Sequence, residues 1–435
     1  MNSESVKIYS EKDVPRLRYI AGLILGDILG LQWEVITDKR KLGKHPAINY
    51  STEKIKGAFK ISPESILYET GIIHKDISVE DWNGLPLFFR TSSDSDLPFD
   101  IFAASFFLVS RYEEYLEFQT DEHKRFPASL SLAFKNRFLD IPVVDIWTRE
   151  FSKAFLKKFQ TITFKQNEFN AIVSIDTDQP FAYQGNSLLN SLGSILRDLK
   201  ITPAKGGNQT EIEKKGEPDP FDVSGYITET LEKNQTEAMF FFPVGDNSKY
   251  DKNPSWKNSK YRDLIKMLTG KFFTGLRPTY YASGNFTKLK SELNRLNSIL
   301  GKEVSKCRFN YIRLFFPISY RDILKAGLSE DYSMGFHDEP GFRAGIARPY
   351  WFYDLQEDKQ TDLKIFPFQV MDETFITHKK LDTTASKEII LKLLNETRKV
   401  GGLFVSIWHN TSLLDNQDQN GWREVFEFLL NNQAP

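Results

Sequence analysis

Two aspartates stand directly after a short apolar run, in Ser174-Ile175-Asp176-Thr177-Asp178. The run at 171–175 is rich in β-branched residues, the pattern of a strand buried on both faces, so Asp176 and Asp178 fall at its carboxyl mouth. Two carboxylates this close either hold a divalent cation, divide base and ligand roles because proximity separates their pKa values, or cap backbone donors of the loop. His409 ends a second apolar run, 403–408. An imidazole there serves as metal ligand, as general acid, or as a hydrogen-bonded structural histidine. A third stretch, from Asp331 through Gly345 to Asp354, is dense in glycine, aromatics and charge. It offers Tyr332 and Phe342 to a carbohydrate platform and Arg343 as a clamp for a carboxylate, or else it is a packed irregular loop whose glycines serve turns.

The elements that must position these residues follow from periodicity. Apolar spacing predicts a helix over 13–31, with Pro15 tolerable in its first turn, and a strand over 32–36. Pro98 opens an apolar helix at 99–116, where Phe102, Phe106 and Val109 share a face and the polar residues gather at the C-terminal end. A helix at about 146–159 closes this part of the chain. From about 164 the signals alternate: strand 171–175, a helix carrying Val223, Ile227 and Leu231, strand 238–242, helix 286–300 stopped by Gly301, a strand-like 308–314, helix 389–400, strand 403–408 and helix 422–430. Such an order implies a parallel sheet with helices outside, closed as a barrel or open and doubly wound, with active residues just beyond the strand C-termini. The reading is therefore a smaller α+β domain of unknown role at 1–163 and an α/β domain at 164–435, with a mobile loop at 201–220.

Composition removes several function classes. The 435 residues carry 57 Lys+Arg against 58 Asp+Glu, a net charge of −1, which gives no field for nucleic acid or an anionic membrane surface. The single Cys307 forms no internal disulfide and excludes multi-cysteine metal motifs, so any metal would need histidines and carboxylates. The opening Met1-Asn2-Ser3-Glu4-Ser5 lacks a basic-then-apolar export pattern, and the apolar run at 19–31 is interrupted by Asp27 and too short to span a bilayer. A cytoplasmic location is the expectation.

Through Ser174–Asp178, Phe240–Gly245, 275–283, 331–345, 367–374 and Trp408-His409-Asn410, the sequence resembles the polysaccharide deacetylases of carbohydrate esterase family 4. It is more similar still to a bacterial branch with an extra N-terminal domain, which 99–116 and 121–126 resemble. The resemblance covers nearly the whole chain. It implies a distorted (β/α) barrel of the polysaccharide deacetylase type, preceded by the smaller α+β domain, that removes N-acetyl groups from carbohydrate with a divalent metal, usually zinc. By the resemblance Asp176 is the general base, Asp178 a metal ligand, Arg343 the arginine that orients the base, His409 the acid toward the leaving amine, and Asp372 the carboxylate supporting it. Tyr280, Tyr332, Phe342 and Trp408 would contact the sugar. A metal in that role lowers the pKa of bound water and polarises the amide carbonyl.

The chain departs from this pattern where the family places two histidine ligands: Arg277 and Asn310 stand there instead. The six histidines, His45, His74, His123, His337, His378 and His409, include no pair spaced to chelate from one helical turn, and a guanidinium has no lone pair to offer a cation. His337, in the site-lining loop, is the candidate substitute. Three readings follow. The leading one is a deacetylase with a degenerate metal site. In the second, the domain has lost metal catalysis, Arg277 pairs with Asp176 or Asp178, and the site binds a carbohydrate or a partner protein. The last is a two-carboxylate glycoside hydrolase whose acidic partner would be Asp331, Asp338 or Asp372.

Overall fold

The computed structural model describes residues 5–180, 222–414 and 421–434; the loop expected at 201–220 lies outside the described residues. The chain divides into two compact units, the first comprising Met1–Phe169, Gly341–Pro367 and Asn395–Leu403, the second Asn170–Pro340, Phe368–Leu394 and Phe404–Pro435.

In the first unit β1 (Val6–Ser10), β2 (Trp33–Ile36), β3 (Ala47–Tyr50) and β4 (Phe59–Lys60) form a sheet in the order β2-β1-β3-β4, with every pairing parallel. Parallel strands are covered on both faces, and β3 is accordingly buried along its whole length. The mixed signals read as α+β thus resolve into a parallel α/β sheet, with the antiparallel hairpin of β5 (Glu80–Trp82) and β6 (Leu85–Leu87) beside it. The helix expected over 13–31 is shorter: α1 (Pro15–Ala21) passes into a π-helical turn, Gly22–Ile28. α2 (Ile101–Val109) is buried at every position and begins at Asp100, whose carboxylate accepts the N–H groups of Phe102 at 3.0 Å and Ala103 at 3.1 Å. After the short α3 (Leu132–Lys135), α4 (Val143–Lys158) buries Trp147, Phe151 and Phe155 at fourfold spacing, and both phenylalanines meet Phe59 at 5.4 Å. Truncating either to alanine should cost about 3–5 kcal/mol.

In the second unit β7 (Asn170–Asp176), β8 (Ala238–Phe242), β9 (Phe273–Leu276), β10 (Lys306–Cys307) and β11 (Glu330–Asp331) are laid down in turn. The chain then gives the first unit an antiparallel hairpin, β12 (Tyr350–Asp354) and β13 (Lys359–Ile365), before β14 (Val370–Met371) and β15 (Leu403–His409). The second unit's strands run in the order β11-β10-β9-β8-β7-β15-β14, with parallel pairing at β11-β10, β10-β9, β9-β8, β8-β7 and β15-β14. Its helices are α5 (Ser224–Lys233), α6 (Ser259–Thr269), α7 (Phe286–Leu300), α8 (Ile318–Ala326) and α10 (Trp422–Asn432), while α9 (Thr383–Lys399) contributes to both units. The described pairings give an ordered parallel sheet, and they do not include one that would close it into a barrel.

Helix α7 shows how the sequence fixes these elements. Asn285 caps it by accepting the Lys288 N–H at 3.2 Å, Leu289, Leu293, Leu296 and Ile299 are buried, and Gly301 stops it at φ 65°. The strand expected at 308–314 ends instead at Cys307. Asn310 Oδ1 accepts the Tyr311 N–H at 3.0 Å, and Tyr311 and Ile312 take φ of 60° and 53°. A side-chain amide that bonds its own backbone competes with the sheet ladder, and here it turns the chain. Gly275 sits where a Cβ would meet the Phe241 ring at 2.3 Å and the Lys306 carbonyl oxygen at 3.2 Å, so β9 fits between its neighbours only as glycine. No helix among the described residues is long and apolar enough to cross a membrane.

Candidate functional site

Five charged or titratable side chains gather at the carboxyl ends of the second unit's parallel strands. Asp176 ends β7, Arg277 follows β9, Arg308 follows β10, Asp372 follows β14 and His409 ends β15. All five are buried. The location is the one where parallel α/β sheets place ligands, because every loop leaving a strand converges there.

Asp176 is the centre. Its Oδ1 accepts Arg308 Nε at 3.1 Å and pairs with Nη2 of the same guanidinium; its Oδ2 lies 3.1 Å from Arg277 Nε and 3.7 Å from His409 Nε2. Arg277 also pairs through Nη1 with Asp178 and donates from Nη2 to Asn310 Oδ1 at 2.8 Å. Asp178 is held from behind, its N–H donating to Asn410 Oδ1 at 2.8 Å. Arg308 lies over the Phe241 ring, 4.1 Å from its centroid, and donates to Ser174 Oγ.

His409 Nδ1 is 2.6 Å from Asp372 Oδ1, and the His409 N–H donates to Asp372 Oδ2 at 2.6 Å. Burial alone would lower the histidine, but Asp372, Glu373 and Asp176 outweigh it and hold the imidazole above its ordinary value. Burial works in the opposite sense on Asp176, and again the charges win: Arg277, Arg308 and His409 hold its carboxyl below the ordinary carboxylate range.

A second layer positions the first. Asp251 accepts the Asn310 side-chain N–H at 3.0 Å and the Tyr280 N–H at 2.9 Å. Glu292, on the buried face of α7, accepts the Thr279 N–H at 2.9 Å and its hydroxyl at 2.5 Å; burial raises its carboxyl to about 7. Gly245 makes room for this contact, since a Cβ there would lie 2.5 Å from Glu292 Oε1. Beside Asn310 the rings of Tyr250 and Tyr280 stack at 4.0 Å, and Tyr311 and Tyr281 meet Tyr280 edge-on at 5.2 and 5.1 Å.

Residues 6–160 match a family of unknown function, DUF7033. No curated protein sequence matches the chain. Among solved structures, a putative polysaccharide deacetylase from Mycobacterium smegmatis is similar at 12% identity and TM-score 0.40, over 63% of this chain and 87% of that one. The polysaccharide deacetylase Bc1974 from Bacillus cereus is similar at 12% identity and TM-score 0.29, over 61% and 87%. A mutant of a carbohydrate esterase family 4 pseudoenzyme with restored enzymatic activity is similar at 10% identity and TM-score 0.29, over 62% and 63%. Likenesses at this level assign this chain neither an activity nor a substrate.

The structure thus brings Asp176, Asp178, Asp372 and His409 together, with Arg277 and Asn310 among them. Arg343 lies in the first unit, where its guanidinium pairs with Glu114 and its carbonyl accepts from Arg111. Phe342 is also in the first unit and fully buried. Tyr332 packs on Phe241 and donates to Glu330 at 2.8 Å, Trp408 packs on Phe426 at 5.0 Å, and Tyr280 is 5% exposed, so these rings are core or second-layer residues. His337 faces the ring of His378 at 4.9 Å. Asp331 is buried among Tyr320 and Ser333, which both donate to it, and Asp338 lies 3.6 Å from His337 Nδ1. Arg308, Asp251 and Glu292 were not legible as site residues. The available signal was position alone: Arg308 directly follows a strand.

The divalent metal that the resemblance implies meets a donor set that does not fit it. Among the described residues no three of His, Cys, Asp or Glu are grouped to hold a metal ion. The guanidinium of Arg277, a donor without lone pairs, lies on both carboxylates that would be ligand and base.

Proposed function

We propose that the second unit binds an N-acetylated carbohydrate at the carboxyl ends of its parallel strands, and that it does so as a binding site without metal-dependent turnover. The observation that carries this reading is the convergence of Asp176, Arg277, Arg308 and His409 beside the tyrosines at 250, 280, 281 and 311. Sugars are recognised by fixed polar groups that bond their hydroxyl and amide functions, with aromatic faces covering the apolar face of the ring. Tyr281 is 44% exposed and gives a ligand such a face. Carbohydrate is also the substrate class of the deacetylases that the strand-end motifs resemble.

Binding is favoured over hydrolysis by the state of the two groups that would do the chemistry. A general base works best with a pKa near the operating pH. Asp176 is held below the usual carboxylate range by two guanidinium groups, and both its oxygens are engaged. Burial lowers His409, but Asp372, with Glu373 and Asp176, outweighs it and holds the imidazole above its ordinary value, a direction that favours donation to a ligand oxygen. A hydrolytic reading keeps one specific support, the placing of the His409 imidazole between Asp372, 2.6 Å from Nδ1, and Asp176, whose Oδ2 lies 3.7 Å from Nε2.

Calorimetric titration of the full-length protein with the N-acetylglucosamine tetramer tests the proposal. Saturable binding, weakened in Asp178→Ala and Tyr281→Ala and unchanged in the first-unit variant Glu114→Gln, is expected. Absence of binding to the folded wild-type protein, or equal weakening by Glu114→Gln, would overturn it.

A further inference from the structure

Each of the three nitrogens of Arg277 reaches a different residue: Nε meets Asp176 Oδ2 at 3.1 Å, Nη1 pairs with Asp178, and Nη2 donates to Asn310 Oδ1 at 2.8 Å. The three contacted oxygens come from β7, from the loop that follows it and from the turn after β10, and the guanidinium touches all three. Two carboxylates and an amide oxygen around one positive centre are the arrangement a hard divalent cation takes, since magnesium, calcium and manganese favour such oxygen donors. We propose that the guanidinium of Arg277 is a built-in cation occupying a latent divalent-cation position made by Asp176, Asp178 and Asn310.

The charge balance agrees with this assignment. Asp176 and Asp178 supply two negative charges, and Arg277 and Arg308 supply two positive ones, so an added divalent ion would meet a neutral set already filled by donors. Removing the Arg277 side chain leaves one uncompensated negative charge, three oxygen donors and the volume of the guanidinium. Arg308 remains on Asp176 Oδ1, so the carboxylate keeps its place. Asp251 and Asn410 likewise keep Asn310 and Asp178 in position, because neither contact involves Arg277. The side chain of Asp178 is 27% exposed, which gives an ion a path to it.

This inference does not depend on sugar binding, and its test contains no sugar. Manganese is titrated into full-length wild type, Arg277→Ala and Arg277→Ala/Asp178→Ala, followed by calorimetry and by loss of the free-ion paramagnetic resonance signal. The expected result is no binding to wild type, one equivalent bound by Arg277→Ala, and loss of that equivalent in the double variant. Manganese should also raise the melting temperature of Arg277→Ala and leave that of wild type unchanged. Arg277→Gln, which fills more of the space and retains an amide, is the second variant if the alanine form does not fold, with the same gain of one equivalent expected. One equivalent bound by wild type and lost in Asp178→Ala would overturn the proposal without reference to any Arg277 variant. A folded Arg277→Ala or Arg277→Gln protein that takes up no manganese would overturn it as well.

Discussion

Each unit contains a buried set of two arginines and two carboxylates. In the first unit Arg111 pairs with Glu113 and Glu114, and Arg343 pairs with Glu114. In the second, Arg277 and Arg308 share Asp176 and Arg277 also reaches Asp178. The ionic content is the same and the settings differ. The first set is built around a 3-10 turn, Tyr112–Tyr115, entered through Arg111 at φ 55°, and its most exposed member is Glu113 at 12%. The second stands at strand ends, includes an aspartate that is 27% exposed, and adjoins a histidine held by its own carboxylate. A buried ion-pair network is therefore not in itself a site; its position at the mouth of a parallel sheet and its contact with a titratable pair set it apart.

The largest expected effect tests what the two sets have in common. Arg308→Ala and Arg111→Ala each remove one of the guanidinium groups from a buried carboxylate network and should each cost about 3–5 kcal/mol in denaturant unfolding. A near-neutral Arg308→Ala would break the comparison by showing that Asp176 is compensated by other means. The next effect separates the layer behind the second set from the first set by the sign of its pH dependence. Glu292, behind the strand-end cluster, has its carboxyl raised to about 7 by burial, so its contribution is fully present below its unfolded value near 4.5 and is lost as pH rises through 7. Burial also pushes on Glu114, but Arg343 and Arg111 more than offset it and hold that carboxyl below its ordinary value, so its contribution is lost as pH falls. Urea unfolding at pH 5 and pH 8 should show Glu292→Gln recovering about 2–3 kcal/mol of the loss toward alkaline pH, whereas Glu114→Gln should flatten the acid side only.

A smaller effect is expected from Asp372→Asn. Its cost in stability should be about 1–3 kcal/mol, and the His409 ring titration followed by NMR should move down, because the principal group that raises it has lost its charge. An unmoved titration would show that Glu373 and Asp176 suffice. The smallest is Tyr281→Ala, which should weaken oligosaccharide binding by about 1 kcal/mol and leave stability within about 0.5 kcal/mol.

Much of the second unit could be read from its sequence because strand and helix periods are strong where both faces or one stripe are buried. The strand at 238–242 and the helix at 286–300 have the expected limits, and Asp176 and His409 lie at strand ends as their neighbours indicated. The turn at Asn310 was less legible, since Arg308–Leu314 has strand-like composition and the competing bond from an asparagine side chain is a tertiary outcome. The partner of Arg343 was equally hidden: Glu114 is 229 residues away, and proximity of that kind leaves no periodic trace. In the first unit, β4 and the π-helical turn are too short or too unusual to show in composition, and the parallel order of its sheet follows from packing.

The central claim is that the strand-end cluster is complete without a divalent metal, and one measurement addresses it most directly. The N-acetylglucosamine tetramer would be titrated into full-length protein twice, once after exhaustive treatment with a chelator and once with excess zinc, with released acetate assayed in both. The same dissociation constant in the two conditions and no acetate in either are predicted. Binding or acetate release that appears only with zinc would contradict the account.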